Sequence, residues 1–161
     1  MSQSSTHHYQ VNLIWTGNFG QGTSDYRAYA RSHEIVVPGK PKILGSADPA
    51  FRGDRNRYNP EELLLASIAS CHMLWYLHLC ADTQISVLQY ADSPTGVMRE
   101  TAEGGGRFEA VTLKPEVTIA AGGGAALAIQ LHDRAHQCCF IANSVNFPIS
   151  CEPSLQIQLK G

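Results

Sequence analysis

The spacing of hydrophobic and polar positions changes several times along the chain, and each change predicts an element. Tyr9 to Thr16 alternates polar and apolar side chains, as a half-buried strand does, and runs into the glycine-rich stretch Gly17 to Gly22, which reads as a turn. Tyr26 to Val37 alternates more loosely and predicts a second strand, closed by Pro38-Gly39-Lys40-Pro41, so the two strands should form a hairpin. Gly45 to Tyr58 has no usable period and predicts a long loop carrying Arg52, Arg55 and Arg57. Asn59 is suited to cap a helix, Pro60 to its first position, and Glu61 and Glu62 to its positive end, so a helix should run from there to about Ala81, with Asp82-Thr83 ending it. Ile85 to Asp92, Val97 to Thr101 or beyond, and Phe108 to Ile119 then read as strands of an antiparallel meander, turned at Pro94-Thr95-Gly96 and Gly104-Gly105-Gly106. After Gly122-Gly123-Gly124, the helical recurrence of Leu127, Leu131, Ala135 and Cys138 predicts a second helix over Ala125 to Cys138. A short helical piece can follow up to Val145, and Ser154 to Leu159 alternates as a final strand. The order ββ, α, βββ, α, β is that of an α+β domain.

Length and charge narrow the function classes. A chain of 161 residues with 43% hydrophobic content can build one core, so a single domain spanning residues 1–161 is expected. Twelve basic against 14 acidic side chains leave a net charge of 12 − 14 = −2 without a block of one sign, which argues against nucleic acid and anionic membrane as partners. The start, Met1 to His8, is neither basic nor apolar and does not read as a signal peptide, so a cytoplasmic location is expected. The apolar run Leu63 to Ala81 is broken by Ser67, Ser70, His72 and His78, polar groups that are costly in lipid, and reads as a buried central helix.

Five irregularly spaced cysteines do not form a secreted disulfide framework. Cys71, in an apolar helical run, and Cys139, far away in Ala135-His136-Gln137-Cys138-Cys139, are two thiols in contrasting settings, which suggests redox chemistry. A thiolate attacks a peroxide O–O bond to give a sulfenic acid, and a second thiol captures it as a disulfide, so two cysteines are the minimum for that cycle. Burial raises a thiol's pKa, so such a thiolate needs a cation, and an arginine is the obvious one. Cys80 stands nine residues from Cys71, about half a turn out of phase and ~13 Å along the helix axis, so the two cannot bond and Cys80 reads as core. The face around Cys71 is mostly apolar and would suit a bulky organic peroxide.

Asn59-Pro60-Glu61-Glu62-Leu63, Ala69-Ser70-Cys71-His72 and Ala135-His136-Gln137-Cys138-Cys139 together resemble the OsmC/Ohr superfamily of thiol peroxidases, over nearly the whole chain. The resemblance implies an OsmC-like fold, with antiparallel sheets around long central helices in an intertwined homodimer. It implies an enzyme that reduces organic hydroperoxides without metal, cofactor or prosthetic group. It assigns Cys71 as the peroxidatic and Cys139 as the resolving cysteine, gives Glu61 the role of orienting an active-site arginine, and makes a dithiol, of lipoyl type in the organic hydroperoxide branch, the reductant. Two positions depart from the pattern: Phe140 stands where proline usually follows the second cysteine, and the turn Gly17-Asn18-Phe19-Gly20 lacks the branch's arginine. Arg27 is the substitute chosen here, with Arg52 behind it. Ten residues of unbroken helix would put Glu61 about 15 Å from Cys71, so either the helix breaks or the glutamate serves the other copy's cysteine.

Other chemistries remain alongside. His132 and His136 stand four apart beside Cys138 and Cys139 and could, with Cys71 or His72, ligate zinc in a non-enzymatic module; the same fold could hold an apolar ligand, or act as a thiol redox sensor. The string Gly17-Asn18-Phe19-Gly20-Gln21-Gly22 lacks the lysine and strand-to-helix setting of a phosphate loop, and Ser70 and Ser144 lack a nucleophile elbow.

Overall fold

The computed structural model describes residues 5–122 and 124–158. Gly123 of the expected glycine break, Leu159 of the expected last strand and the first four residues of the Met1 to His8 start lie outside them. The backbone gathers into two compact units, residues 1–63 and 64–161.

The first unit holds an antiparallel sheet of β1 (Asn12–Trp15), β2 (His33–Val36) and β3 (Ile43–Gly45), in that order, with Trp15 opposite His33 and His33 opposite Gly45. The second strand is thus shorter than the expected Tyr26 to Val37. Asp25 explains why: its carboxylate accepts the Arg27 N–H at 2.8 Å and its carbonyl accepts the Ala28 N–H at 3.0 Å, closing a turn over residues that the alternation gives to strand. β3 forms where the pattern shows no strand, completing a three-stranded sheet instead of a hairpin. A 3-10 turn at Pro49–Phe51 follows, capped by Asp48, whose carboxylate accepts the Ala50 N–H at 2.7 Å.

Helix α1 (Pro60–Asp82) starts where the caps predict, through a reciprocal capping box. Asn59 Oδ1 accepts the Glu62 N–H at 2.8 Å, and Glu62 Oε2 accepts the Asn59 N–H at 3.1 Å.

The second unit contains β4 (Val87–Asp92), β5 (Thr95–Glu100), β6 (Gly106–Leu113), β7 (Pro115–Ala120), α2 (Ala125–Cys138), β8 (Ile149–Cys151) and β9 (Ser154–Gln158). These strands form two sheets, β4-β7-β9 and β5-β6-β8, in which β4/β7 and β5/β6 are antiparallel while β6/β8 and β7/β9 are parallel. The expected meander is therefore replaced by two interleaved sheets, because the stretch Phe108 to Ile119 is two strands. The break is at Lys114, whose N–H turns to the Asp92 carboxylate at 2.8 Å, followed by Pro115, which has no N–H to give a ladder. Gly96 belongs to β5 and not to a turn; a Cβ there would meet the Phe108 ring at 2.7 Å, so glycine is demanded by packing.

Ile68, His72, Tyr76 and Cys80, four residues apart, form the buried stripe of α1. Tyr76 and Cys80 pack with Ile85, Val117, Ile119, Ala128, Leu131 and Ala135, and Ile68 packs with Val111 and Leu113. Cys80 is core, as its phase implies. The rest of α1 is also apolar: an 18-residue window has mean hydropathy 1.5, enough by length and composition to cross a membrane, yet only 22% of it is buried within the chain. Leu74 is 63% exposed.

Candidate active site

Cys71 lies near the middle of α1, half-buried, and Cys139 lies at the C-terminal cap of α2 with no exposed surface. Although 68 positions separate them in sequence (139 − 71), the two thiols are near enough for Cys71 to push the Cys139 thiol up. Local backbone explains which of the two adjacent cysteines turns inward. Cys138 ends the helix, whereas Cys139 leaves it in an extended conformation, its N–H still bonded to the His136 carbonyl at 3.2 Å. The 3-10 turn Ala142–Ser144 then aims the Ala142 N–H at Cys139 Sγ, 3.4 Å away, and Asn143 closes the exposed end of α2 by donating to the Gln137 carbonyl at 3.0 Å. Burial, and next the Cys71 thiol, push Cys139 up to about 11; the Ala142 and Ile141 N–H groups act in the opposite direction by favouring the thiolate.

Cys71 opens onto a groove of about 320 Å³ lined by Ser67, Ser70, Leu74, Trp75, Phe140 and Ile141. Trp75 and Phe140 meet edge to face with ring centroids 5.8 Å apart, so Phe140, the residue that departs from the usual proline, builds the apolar wall. A thiol pair beside an apolar trough can attack a hydrophobic electrophile and close to a disulfide.

The other chosen residues lie in the first unit. Glu61 is half-buried on the first turn of α1 and, with Glu62 spent on the cap, makes no side-chain hydrogen bond among the described residues. No break interrupts α1 between Glu61 and Cys71. Arg27 is exposed in the Asp25 turn, and among the described residues its side chain has no hydrogen bond or ion pair. Arg52, also exposed, has φ +64°, a left-handed conformation that costs a non-glycine residue energy, and its guanidinium carbon is 5.9 Å from the Tyr26 ring centroid. Arg31, not singled out in the sequence, is held between Tyr26 and Tyr29 at 4.1 and 4.2 Å and donates to the Tyr29 carbonyl at 2.7 Å.

The zinc set weighed from sequence does not assemble as expected. His132 is buried against α1, whereas His136 is half-buried, and the ligand-bearing group that converges among the described residues is His72, His132 and Cys151. Sequence reading missed it because its members come from α1, α2 and β8. The available signal was a histidine on the apolar stripe of each helix: His72 is four residues from Ile68 and Tyr76, and His132 four from Ala128.

Comparison with known proteins adds the lineage. The model of the OsmC-like protein family matches residues 53–154. An OsmC-like protein of unknown function from Vibrio cholerae is 28% identical, with a TM-score of 0.84 over 92% of this chain and 100% of that one. An organic hydroperoxide resistance protein OsmC from Legionella pneumophila is 18% identical, with a TM-score of 0.67 over 95% and 99% of the two chains. An organic hydroperoxide resistance protein from Elizabethkingia anophelis is 17% identical, with a TM-score of 0.66 over 96% and 100%. No curated protein matches the chain. The α+β fold expected from the sequence is the fold of these structures.

Proposed function

The chain belongs to the OsmC-like family, and we propose that it is a thiol-dependent peroxidase that reduces organic hydroperoxides with Cys71 and Cys139. The observation that carries this reading is the nearness of those two thiols, with Cys71 opening onto an apolar groove and Cys139 buried behind it. Cys71 thiolate attacks the terminal peroxide oxygen, the O–O bond breaks, and the alkoxide leaves and takes a proton from solvent to become the alcohol. Cys71 is then a sulfenic acid. Cys139 thiolate attacks its sulfur, the hydroxide leaves as water once protonated, and the two sulfurs are joined. A dithiol, of lipoyl type by family resemblance, reopens the bond by exchange and carries the two electrons away as its own disulfide.

Cys71 thiolate needs a cation, and the first unit supplies the candidates. Arg52 is the better choice than Arg27, because its backbone is fixed as the left-handed cap of the Pro49–Phe51 turn, next to the start of α1, whereas Arg27 stands exposed in the Asp25 turn with no side-chain partner among the described residues. Glu61 orients it. Since Glu61 lies about 15 Å along an unbroken helix from its own Cys71, the arginine and glutamate serve Cys71 of the partner subunit. A homodimer would also cover the apolar flanks of α1, including Leu74. Multi-angle light scattering at twice the chain mass of 17.5 kDa supports this arrangement, and a monomer at micromolar concentration sinks it. The cytoplasm, which keeps scattered cysteines reduced, is the proposed site of action.

One equivalent of cumene hydroperoxide added to the reduced protein is expected to consume two thiols and leave a Cys71–Cys139 disulfide, found by peptide mapping. An unchanged thiol count rejects the function.

A further inference from the structure

One residue beyond Cys71, α1 turns a different side chain into the core. His72 is 1% exposed and His132 is 2% exposed, and their Nε2 and Nδ1 atoms lie 3.0 Å apart. Cys151 Sγ, from β8, is 3.7 Å from the same His72 nitrogen, and the three donor atoms all lie within 4.8 Å of one another. The other two ring nitrogens, His72 Nδ1 and His132 Nε2, are buried without a partner among the described residues. Tyr76 stacks on His132 with centroids 3.9 Å apart and planes 13° from parallel, which limits how the ring can turn. A core this well filled gains nothing from two under-bonded imidazoles and a thiol, since apolar groups of the same size would cost less.

We propose that His72 Nε2, His132 Nδ1 and Cys151 Sγ form a buried binding site for a closed-shell soft cation, zinc(II) or copper(I), separate from the redox thiols. Two imidazoles and one thiolate suit both ions: copper(I) is satisfied by three donors, and zinc(II) takes a fourth oxygen from water. Metal–nitrogen bonds of about 2.05 Å and a metal–sulfur bond of about 2.3 Å at tetrahedral angles place nitrogen and sulfur about 3.6 Å apart and the two nitrogens about 3.4 Å apart. The first separation is already present, at 3.7 Å, and the second requires the imidazoles to part slightly from 3.0 Å. Charge balances simply. The Cys151 thiol gives its proton to solvent, and the imidazole that donates in the histidine pair moves its proton to its outer nitrogen, so both rings stay neutral. Bound this way, the ion would tie α1, α2 and β8 together directly behind the helix turn that carries Cys71.

The test offers zinc(II), and separately copper(I) without oxygen, to chelator-stripped full-length protein and counts bound metal after dialysis. One equivalent per chain is expected for at least one of the two, and the ion retained identifies the cation. The Cys71→Ser/Cys139→Ser double variant should bind as the parent does, while His132→Gln and Cys151→Ser should each fall below about a tenth of an equivalent with their circular dichroism preserved. X-ray absorption at the metal edge of the parent should show one sulfur neighbour beside two nitrogens for copper(I), or beside three nitrogen or oxygen neighbours for zinc(II), a readout that does not depend on a variant folding. Binding of neither ion, loss of binding in the double variant, or a shell without sulfur would overturn the site.

Discussion

Cys71 and His72 are neighbours on one helix, and the second unit treats them in opposite ways. Cys71 faces a groove walled by Trp75 and Phe140, with a second thiol at hand. His72, a turn of about 100° away, enters the core against His132 and Cys151. The two regions hold buried thiols of contrasting character. Burial raises both, but the two backbone N–H groups beside Cys139 favour its thiolate, whereas Asp92, Asp133 and Glu152 add to burial in holding Cys151 up to about 12. What surrounds the sulfurs thus differs: donors and an open trough on one side, carboxylates and imidazoles on the other.

The largest effect should come from separating the roles proposed for Cys71 and Cys139. Cys71→Ser is expected to lower peroxidase turnover by about a thousandfold or more, since the nucleophile is gone. Cys139→Ser should still consume one equivalent of peroxide per chain and accumulate a sulfenic acid, trapped by dimedone, while steady turnover collapses. Cys151→Ser should leave turnover within about threefold of the parent. Loss of turnover in Cys151→Ser with the fold intact would erase the distinction between the two regions.

Removing the arginine proposed to serve Cys71 should cost less. Arg52→Ala is expected to slow the peroxide step by about ten- to a hundredfold, the range in which a single charge-assisted contact to a reacting anion falls. Arg27→Ala should change it by less than about threefold. Stopped-flow loss of tryptophan fluorescence, with Trp75 as reporter beside the thiol, follows this step directly; the reverse ranking would restore Arg27.

Much of this division could be read before the fold, and the rest for a physical reason could not. The capping box at Asn59 and Glu62 is written in consecutive residues, so the start of α1 and the face of Cys71 follow from local chemistry. The nearness of Cys71 and Cys139 was an implication of family resemblance; periodicity placed each on its helix but carried no distance between helices. Short strands escaped notice because β3 and β8, three residues each, are too brief for alternation to register. The split at Lys114-Pro115 was passed over, although Pro115 stands in the run, because both strands share an apolar rhythm and the Asp92 carboxylate that takes the Lys114 N–H comes from a strand 22 positions away. The His72, His132 and Cys151 cluster spans 79 positions from His72 to Cys151, and no spacing rule joins residues that meet only through tertiary packing.

The expectation that tests the environment of Cys139 itself is on pH. Its thiol is raised to about 11, so near neutrality only a small fraction is thiolate, and that fraction grows about tenfold per pH unit below the pKa. Attack on the Cys71 sulfenic acid should therefore accelerate as pH rises from 6 to 9, by at most about tenfold per unit. The slope will be shallower if losing the neighbouring Cys71 thiol lets the Ala142 and Ile141 N–H groups draw the pKa down in the oxidised state. Double-mixing experiments, with peroxide first and disulfide formation followed afterwards, isolate this step from the initial attack. A closure rate flat from pH 6 upward would mean that Cys139 is already a thiolate, and the contrast between a donor-assisted but still protonated thiol and a fully activated one would have to be redrawn in favour of the latter.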